Sequence, residues 1–287
     1  MLPLTGMEPE VLLLRYGEIF LKGKNRTHFE RKLVANIKKI TGVASVTTLQ
    51  SRLVTDYFPA HAALKSVFGL VSYSPAIFVE NNVDTIKRKA LEMLQAKLLR
   101  TKNSTFRVET KRSDKSFPIR SLELNSMVGK YLEANSVLRF SFEKPDHLLK
   151  IEISQEGAFL FFDVIPCHGG LPTGVEGKVL LLVGNEADLL AGLLFMKRGC
   201  SIYPVALTEK DISLLQAFSP AELKLHVVKD FKELEEFAGR KEISILATGQ
   251  VLGEESKWKT NLTVMKPLVA YSKKQIPEQL KLYGSLL

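Results

Sequence analysis

Residues 179–183 are five apolar positions in a row with no alternation, the pattern of a parallel strand buried on both faces. Residues 189–198 follow as an apolar helix with cations in its last turn, and Gly199 sits where a left-handed stop belongs. Between them lies the turn Gly184-Asn185-Glu186-Ala187-Asp188. Further strands are expected at 201–207, near Leu223 and at 243–247. Helices are expected from about Asp211, at 231–238 and at 273–283 apart from Pro277. Alternating strands and helices predict a doubly wound parallel sheet over residues 170–287.

The first half is patterned differently. Residues 11–16 read as a strand closed by Gly17, and 27–40 as a helix with Thr27 and Glu30 matching a capping box. Short strands at 43–48 and 53–58, then a short helix at 60–68 stopped by Gly69, fit a small ferredoxin-like unit. After a strand at 71–79, residues 83–99 form an amphipathic helix with Val83, Ile86, Ala90, Leu91, Leu94 and Leu98 on one face. A strand at 106–110 runs into a basic stretch, 111–120, and Ser121 is a candidate N-cap for a helix over 121–132. Residues 151–154 and 158–164 pair as antiparallel strands, with Phe159, Phe161 and Phe162 as core. The fold class is α/β, with an α+β N-terminal half.

Charge changes this picture by separating the halves. Residues 1–168 hold 25 Lys and Arg against 17 Asp and Glu, whereas 169–287 hold 15 against 14. A basic half joined to a nearly neutral one points to a polyanionic partner for the first half. Lys22, Lys24 and Arg26 alternate before a helix start, where backbone donors and side-chain charge converge on an anion; an ordinary solvated loop has the same pattern. Lys111, Arg112, Lys115 and Arg120, with Phe117 among them, form the densest basic run. No apolar run reaches about 18 residues, so no membrane span is expected. The first ten residues lack a charged segment leading into an apolar core, so no secretory leader is expected. Cys167 and Cys200 stand in no CxxC spacing, which indicates neither a metal site nor a disulfide framework and makes a cytoplasmic location the expectation.

Several of these stretches together resemble one family, the tRNA 4-thiouridine synthetases (tRNA sulfurtransferases). RYGEIFLKGKNR is similar to the opening of their ferredoxin-like domain. FGLVSYSPA, KRSDKSFPIRSLELNSMVGKYL and GGLPTG resemble their THUMP domain and the exit from it, and KVLLL, AGLLFMKRG, ILATGQVLG and KPLVAYSKKQI their pyrophosphatase-loop (PP-loop) domain. The resemblance implies a ferredoxin-like domain over 8–59, a THUMP RNA-binding domain over 60–167 and a PP-loop ATPase-like domain over 170–287. It implies tRNA as partner, held by its acceptor end, with Arg15, Lys22, Lys24, Arg26, Lys111, Arg112, Lys115 and Arg120 as phosphate contacts and Phe117 as a stacking or packing ring. It leaves open a homodimer and a partner protein of tRNA modification.

The departures from the family weigh equally. The family's PP-loop reads Ser-Gly-Gly-x-Asp-Ser, and the aligned residues here are Val183, Gly184, Asn185, Glu186, Ala187 and Asp188, so one of the five specified positions survives. The missing hydroxyls and second glycine are phosphate donors. Glu186 adds charge of the wrong sign: two unit charges about 4 Å apart repel by roughly 4 kcal/mol at an effective dielectric of about 20. Between Ser201 and Leu287 there is no cysteine to handle sulfur, and Lys257 and Trp258 stand where small or amide residues follow in the family. The expected function is therefore a tRNA-binding THUMP protein with a degenerate, inactive nucleotide and sulfur-transfer site. No catalytic residue, metal or cofactor is expected, and Gly184, Asn185 and Gly249 are the residual nucleotide-binding positions. The alternative is an ATP-dependent tRNA thiolation enzyme, making 4-thiouridine at position 8 with a sulfur donor in trans; ATP and Mg enter only there.

Overall fold

The computed structural model describes residues 8–98, 104–254 and 259–284. The chain begins with β1 (Val11–Tyr16), a 3₁₀ stretch Glu18–Asn25, α1 (Arg26–Thr41), β2 (Thr47–Thr48), β3 (Leu53–Asp56) and a second 3₁₀ stretch His61–Ser66. It continues with β4 (Leu70–Val79), α2 (Val83–Leu98), β5 (Thr105–Arg112), α3 (Ser121–Asn135), β6 (Arg139–Phe140), β7 (His147–Ile153), β8 (Ala158–Phe161) and β9 (Ile165–Pro166). The remainder is β10 (Lys178–Leu182), α4 (Glu186–Lys197), β11 (Ser201–Ala206), α5 (Ser213–Phe218), β12 (His226–Val227), α6 (Phe231–Lys241), β13 (Ile245–Ala247), β14 (Thr263–Met265) and α7 (Gln275–Gly284).

Among the described residues, two compact units share the chain. One takes 8–15, 45–59, 73–98 and 104–165; the other takes 16–44, 60–72, 166–254 and 259–284. The first is built on a sheet in the order β2-β3-β1-β4-β8-β7-β5-β6, with β9 beside β4. As the sequence pattern predicts, β7 and β8 are antiparallel, Ile151 opposite Leu160. β5 is parallel to β7, Val108 opposite Leu149. Ile86, Ala90 and Leu94 of α2 and Leu124, Val128 and Leu132 of α3 recur at four-residue steps, so each helix turns one stripe to the core. They bury against Val108, Leu149 and Ile151. Each such aliphatic side chain contributes about 1.5–3 kcal/mol when removed from water.

The second unit contains a parallel sheet in the order β12-β11-β10-β13-β14. The all-apolar run predicts this: Val179, Leu180 and Leu181 are buried, and α4 covers the sheet with Leu190, Ala191, Leu193 and Met196. Segment 60–72 belongs here too, because Phe68 packs in this core and stacks on Phe218 at 5.2 Å. The compact units therefore interleave along the chain.

Local differences have local causes. Residues 61–66 are 3₁₀ rather than α. α1 starts at Arg26 after Asn25, with no side-chain cap. Glu30 is drawn away from the capping-box role by stronger partners, accepting from Arg26 Nε at 2.7 Å and from the Tyr16 hydroxyl. Burial, then the Glu30 hydrogen bond, pushes the Tyr16 phenol up to about 12. α3 places Arg120 at its N-cap, with Ser121 inside the helix. β6 and β14 were not anticipated; they have two and three residues and largely exposed side chains.

His168 lies in an aromatic cluster of the second unit, stacked on Tyr283 at 4.5 Å and edge-on to Phe218. Burial, helped by Lys197 and Lys65, pushes its pKa down to about 4. The unfolded imidazole takes a proton near pH ~6.5, while the folded one stays neutral. The associated stability is therefore full above about pH 6.5 and is lost as pH falls towards 4. Urea denaturation at stepped pH should show His168→Phe losing less stability on acidification than the parent; equal losses would contradict this assignment.

Candidate functional site

β11 lies on one side of β10 and β13 on the other. The chain therefore leaves β10 in one direction and returns on the opposite side, which opens a crevice at the carboxyl ends of these strands, the position where doubly wound sheets bind ligands. Two loops line it, the one after β10 (Val183 to Asn185) and the one after β13 (Thr248 to Gln250). A single carboxylate joins them. Asp188 Oδ2 accepts from the backbone N–H of Gly184 and of Asn185, each at 2.9 Å, and Oδ1 accepts from the N–H of Gly249 at 2.6 Å. Asn185 Oδ1 accepts from Ala187 N–H at 2.8 Å, completing a reciprocal cap on α4. Asp188 is 7% exposed.

Convergent N–H groups at a helix start are what a phosphate would receive. Here the donors of Gly184, Asn185, Ala187 and Gly249 are already spent on side chains of the loop itself. Glu186 is exposed at the rim. Gly249 also has no room for a side chain: a Cβ there would lie 2.3 Å from the carbonyl carbon of Ala187. The signal for the inward turn of Asp188 was present as Asn185 followed three residues on by Asp188, a cap pattern.

The expected RNA-contacting residues divide by what already occupies them. Arg15 donates to Glu152 Oε1 from Nε at 2.9 Å and Nη2 at 2.7 Å, and to Ser74 Oγ at 2.9 Å. Its guanidinium lies 4.8 Å from the Phe161 ring centre. Arg52 adds a second cation to Glu152 at 3.1 Å. Arg15 is thus held as a structural ion pair. Arg112 is a brace: Nη1 donates to the carbonyls of Phe117 at 2.7 Å and Ile119 at 2.5 Å, fixing the 113–120 loop. Phe117 is 6% exposed and packs in the core of the first unit, so its ring offers no stacking face. Lys111, Lys115 and Arg120 are exposed and enter no ion pair among the described residues. Asp114 enters no ion pair among the described residues. It accepts from the Ser116 hydroxyl at 2.6 Å and N–H at 2.8 Å, and those bonds, with the Arg112 charge, hold it below the usual carboxylate range.

In the second unit, Lys22 lies over Phe29 at 4.6 Å and reaches Glu176 at 3.4 Å, while Arg26 is held by Glu30 and Tyr16. Gly23, at φ +51°, makes the bend between them. Lys24 is exposed and without an ion pair among the described residues. Burial raises the thiols of both cysteines, Cys167 to about 12. Lys257 and Trp258 lie outside the described residues. No helix among the described residues is long and apolar enough to cross a membrane.

The ThiI ferredoxin-like domain family matches residues 11–74, and the THUMP domain family matches residues 80–163. A probable tRNA sulfurtransferase of Moorella thermoacetica is 30% identical over an alignment of 329 positions, covering 96% of this chain and 83% of that protein. One from Brevibacillus brevis is 38% identical over 206 residues, covering 68% of this chain; the match spans 51% of that relative's length. A crystal structure of a 4-thiouridine synthetase–RNA complex with bound ATP superposes with a TM-score of 0.80 at 28% identity, over 97% of this chain and 86% of that one. Fold and matches define a mixed α/β protein carrying a ferredoxin-like and a THUMP domain. The chain belongs to the tRNA sulfurtransferase family.

The Asp188 junction is testable by stability. Asp188→Ala removes the acceptor of one buried and two part-buried N–H groups and should cost about 3 kcal/mol or more. Gly249→Ala forces a Cβ against backbone and should cost about 1–3 kcal/mol by overpacking. Because both act on one junction, the losses should be markedly non-additive in the double variant. Strict additivity in chemical denaturation would show that the two loops are not coupled through this carboxylate.

Proposed function

We propose that this chain is a tRNA-binding member of its family whose crevice loop, filled by its own carboxylate, does not take a nucleotide. The observation that carries this reading is the triple engagement of Asp188. The donors that would face ATP phosphates are committed, the residue aligned with the family's final serine is an anion, and Glu186 repels a second anion. The residues present do not fit a triphosphate. The RNA half of the reading is supported by the THUMP match and by the RNA in the related complex. It is supported further by three exposed cations, Lys111 near the end of β5 and Lys115 and Arg120 on the loop braced by Arg112. Their role is phosphate contact, which gives affinity without base specificity.

A second reading has one observation in its favour: the related 4-thiouridine synthetase was solved with bound ATP. Under it the chain would adenylate and thiolate tRNA with sulfur from another protein, since both thiols here are half-buried and raised in pKa.

Equilibrium binding of fluorescent tRNA, and of a minihelix ending in CCA, should be measured across a salt series. The wild type should bind both. Lys111→Ala/Lys115→Ala/Arg120→Ala should weaken binding to both RNAs alike and flatten the salt slope by about one per cation removed. Binding indifferent to salt and to the triple change would overturn the RNA reading. Sustained tRNA-dependent release of pyrophosphate from ATP would overturn the first reading in favour of the second.

A further inference from the structure

At the opposite end of the parallel sheet from the Asp188 junction, the second unit has a cleft of about 320 Å³. Its floor is the start of β11, with Ser201, Ile202 and Tyr203. One wall is α1. Lys32, Asn36 and Lys39 recur at four- and three-residue steps and share one helix face. Asn36 is buried and donates to the Thr173 carbonyl at 3.0 Å, which fixes that face with a lysine on either side. The other wall brings Lys224, His226 and, from the end of α6, Lys241. None of the four lysines enters an ion pair among the described residues, and Glu222 is the one carboxylate in the lining.

The cations are not explained by the fold alone. Lys39 and Lys241 sit in last helical turns, where a positive charge offsets the helix dipole. Lys32 and Lys224 have no such role. His226 lies beside these charges: burial lowers its pKa first, and the charges of Lys241, Arg240 and Lys224 lower it further. Lys32 and Lys39 are seven residues apart, about 10 Å along the helix. Charge is thus strung along the opening rather than focused on one point, which suits a chain of phosphates better than a single ion.

We propose that this cleft is a second RNA contact, a groove for the phosphodiester backbone lined by Lys32, Lys39, Lys224 and Lys241. It rests on the reading of the chain as RNA-binding, and it joins two lysines of the basic half to two of the nearly neutral half. Its contacts carry no sequence information; they contribute affinity and orient the bound RNA.

The test uses the full chain and tRNA. Lys39→Ala/Lys224→Ala/Lys241→Ala should lower the salt slope by about three, with its melting temperature checked against wild type. Glu222→Lys, which adds a cation at the same place, should strengthen binding, a gain that misfolding cannot produce. In NMR titrations the His226 imidazole should gain pKa on saturation with tRNA, because phosphates cancel the neighbouring lysines. Suppose the Lys111, Lys115 and Arg120 variant loses tRNA while the cleft variants and His226 behave as in the free wild type. The groove is then overturned and the RNA reading stands. If inorganic phosphate shifts His226 and tRNA does not, the site takes a small phosphate and the proposal fails. A wild type that binds no RNA overturns both.

Discussion

The second unit is organised around one carboxylate. Asp188 receives three backbone N–H groups from two loops, the farthest donor being Gly249, 61 residues from Asp188, and both loops end strands on either side of the topological switch. Charge-assisted hydrogen bonds of this kind contribute about 1.5–3 kcal/mol each when well aligned. The same geometry is what a nucleotide phosphate would otherwise complete. On the proposed reading, the crevice has the form of a phosphate site and carries its own anion. Gly249 follows from this arrangement, since the β13 loop approaches the Ala187–Asp188 peptide too closely for any side chain.

A second theme is the sorting of cations into occupied and free. Arg15 and Arg52 converge on Glu152, so one acid holds two guanidinium groups inside the first unit. Arg112 holds the backbone of the loop that displays Lys115 and Arg120. Arg26 closes a small network with Glu30 and Tyr16. Arginine serves the fixed positions, where several donors in a plane are used at once. The exposed positions that the proposed RNA reading assigns to phosphate contact are mostly lysines, compact charges on flexible stems.

Much of the fold was legible because it rests on periodicity. The unbroken apolar run of 179–183 predicted a parallel buried strand, and the paired strands around 155–157 followed from alternation and a turn. β6 and β14 escaped because two or three exposed residues leave no period to read. The site was less legible, for a physical reason. Arg15 and Lys111 look alike in sequence, each a cation at a strand, and the difference is Glu152, which lies 137 residues from Arg15. Phe117 sat among lysines and hydroxyls, yet its ring went to the core. The cleft cations at 32, 39, 224 and 241 come from α1, the loop before β12 and α6, which only the fold brings together.

The central claim is that Asp188 holds the place of a phosphate. The most direct measurement is the thermal unfolding of wild type and Asp188→Ser across a concentration series of Mg·ATP. A ligand at a hundred times its dissociation constant stabilises the folded state by about 2.7 kcal/mol, an effect readily seen as a rise in midpoint. The account predicts no ATP-dependent rise for the wild type and a rise for Asp188→Ser, whose vacated N–H groups can receive a phosphate. A concentration-dependent rise in the wild type would contradict it, because the donors could then not be committed to Asp188.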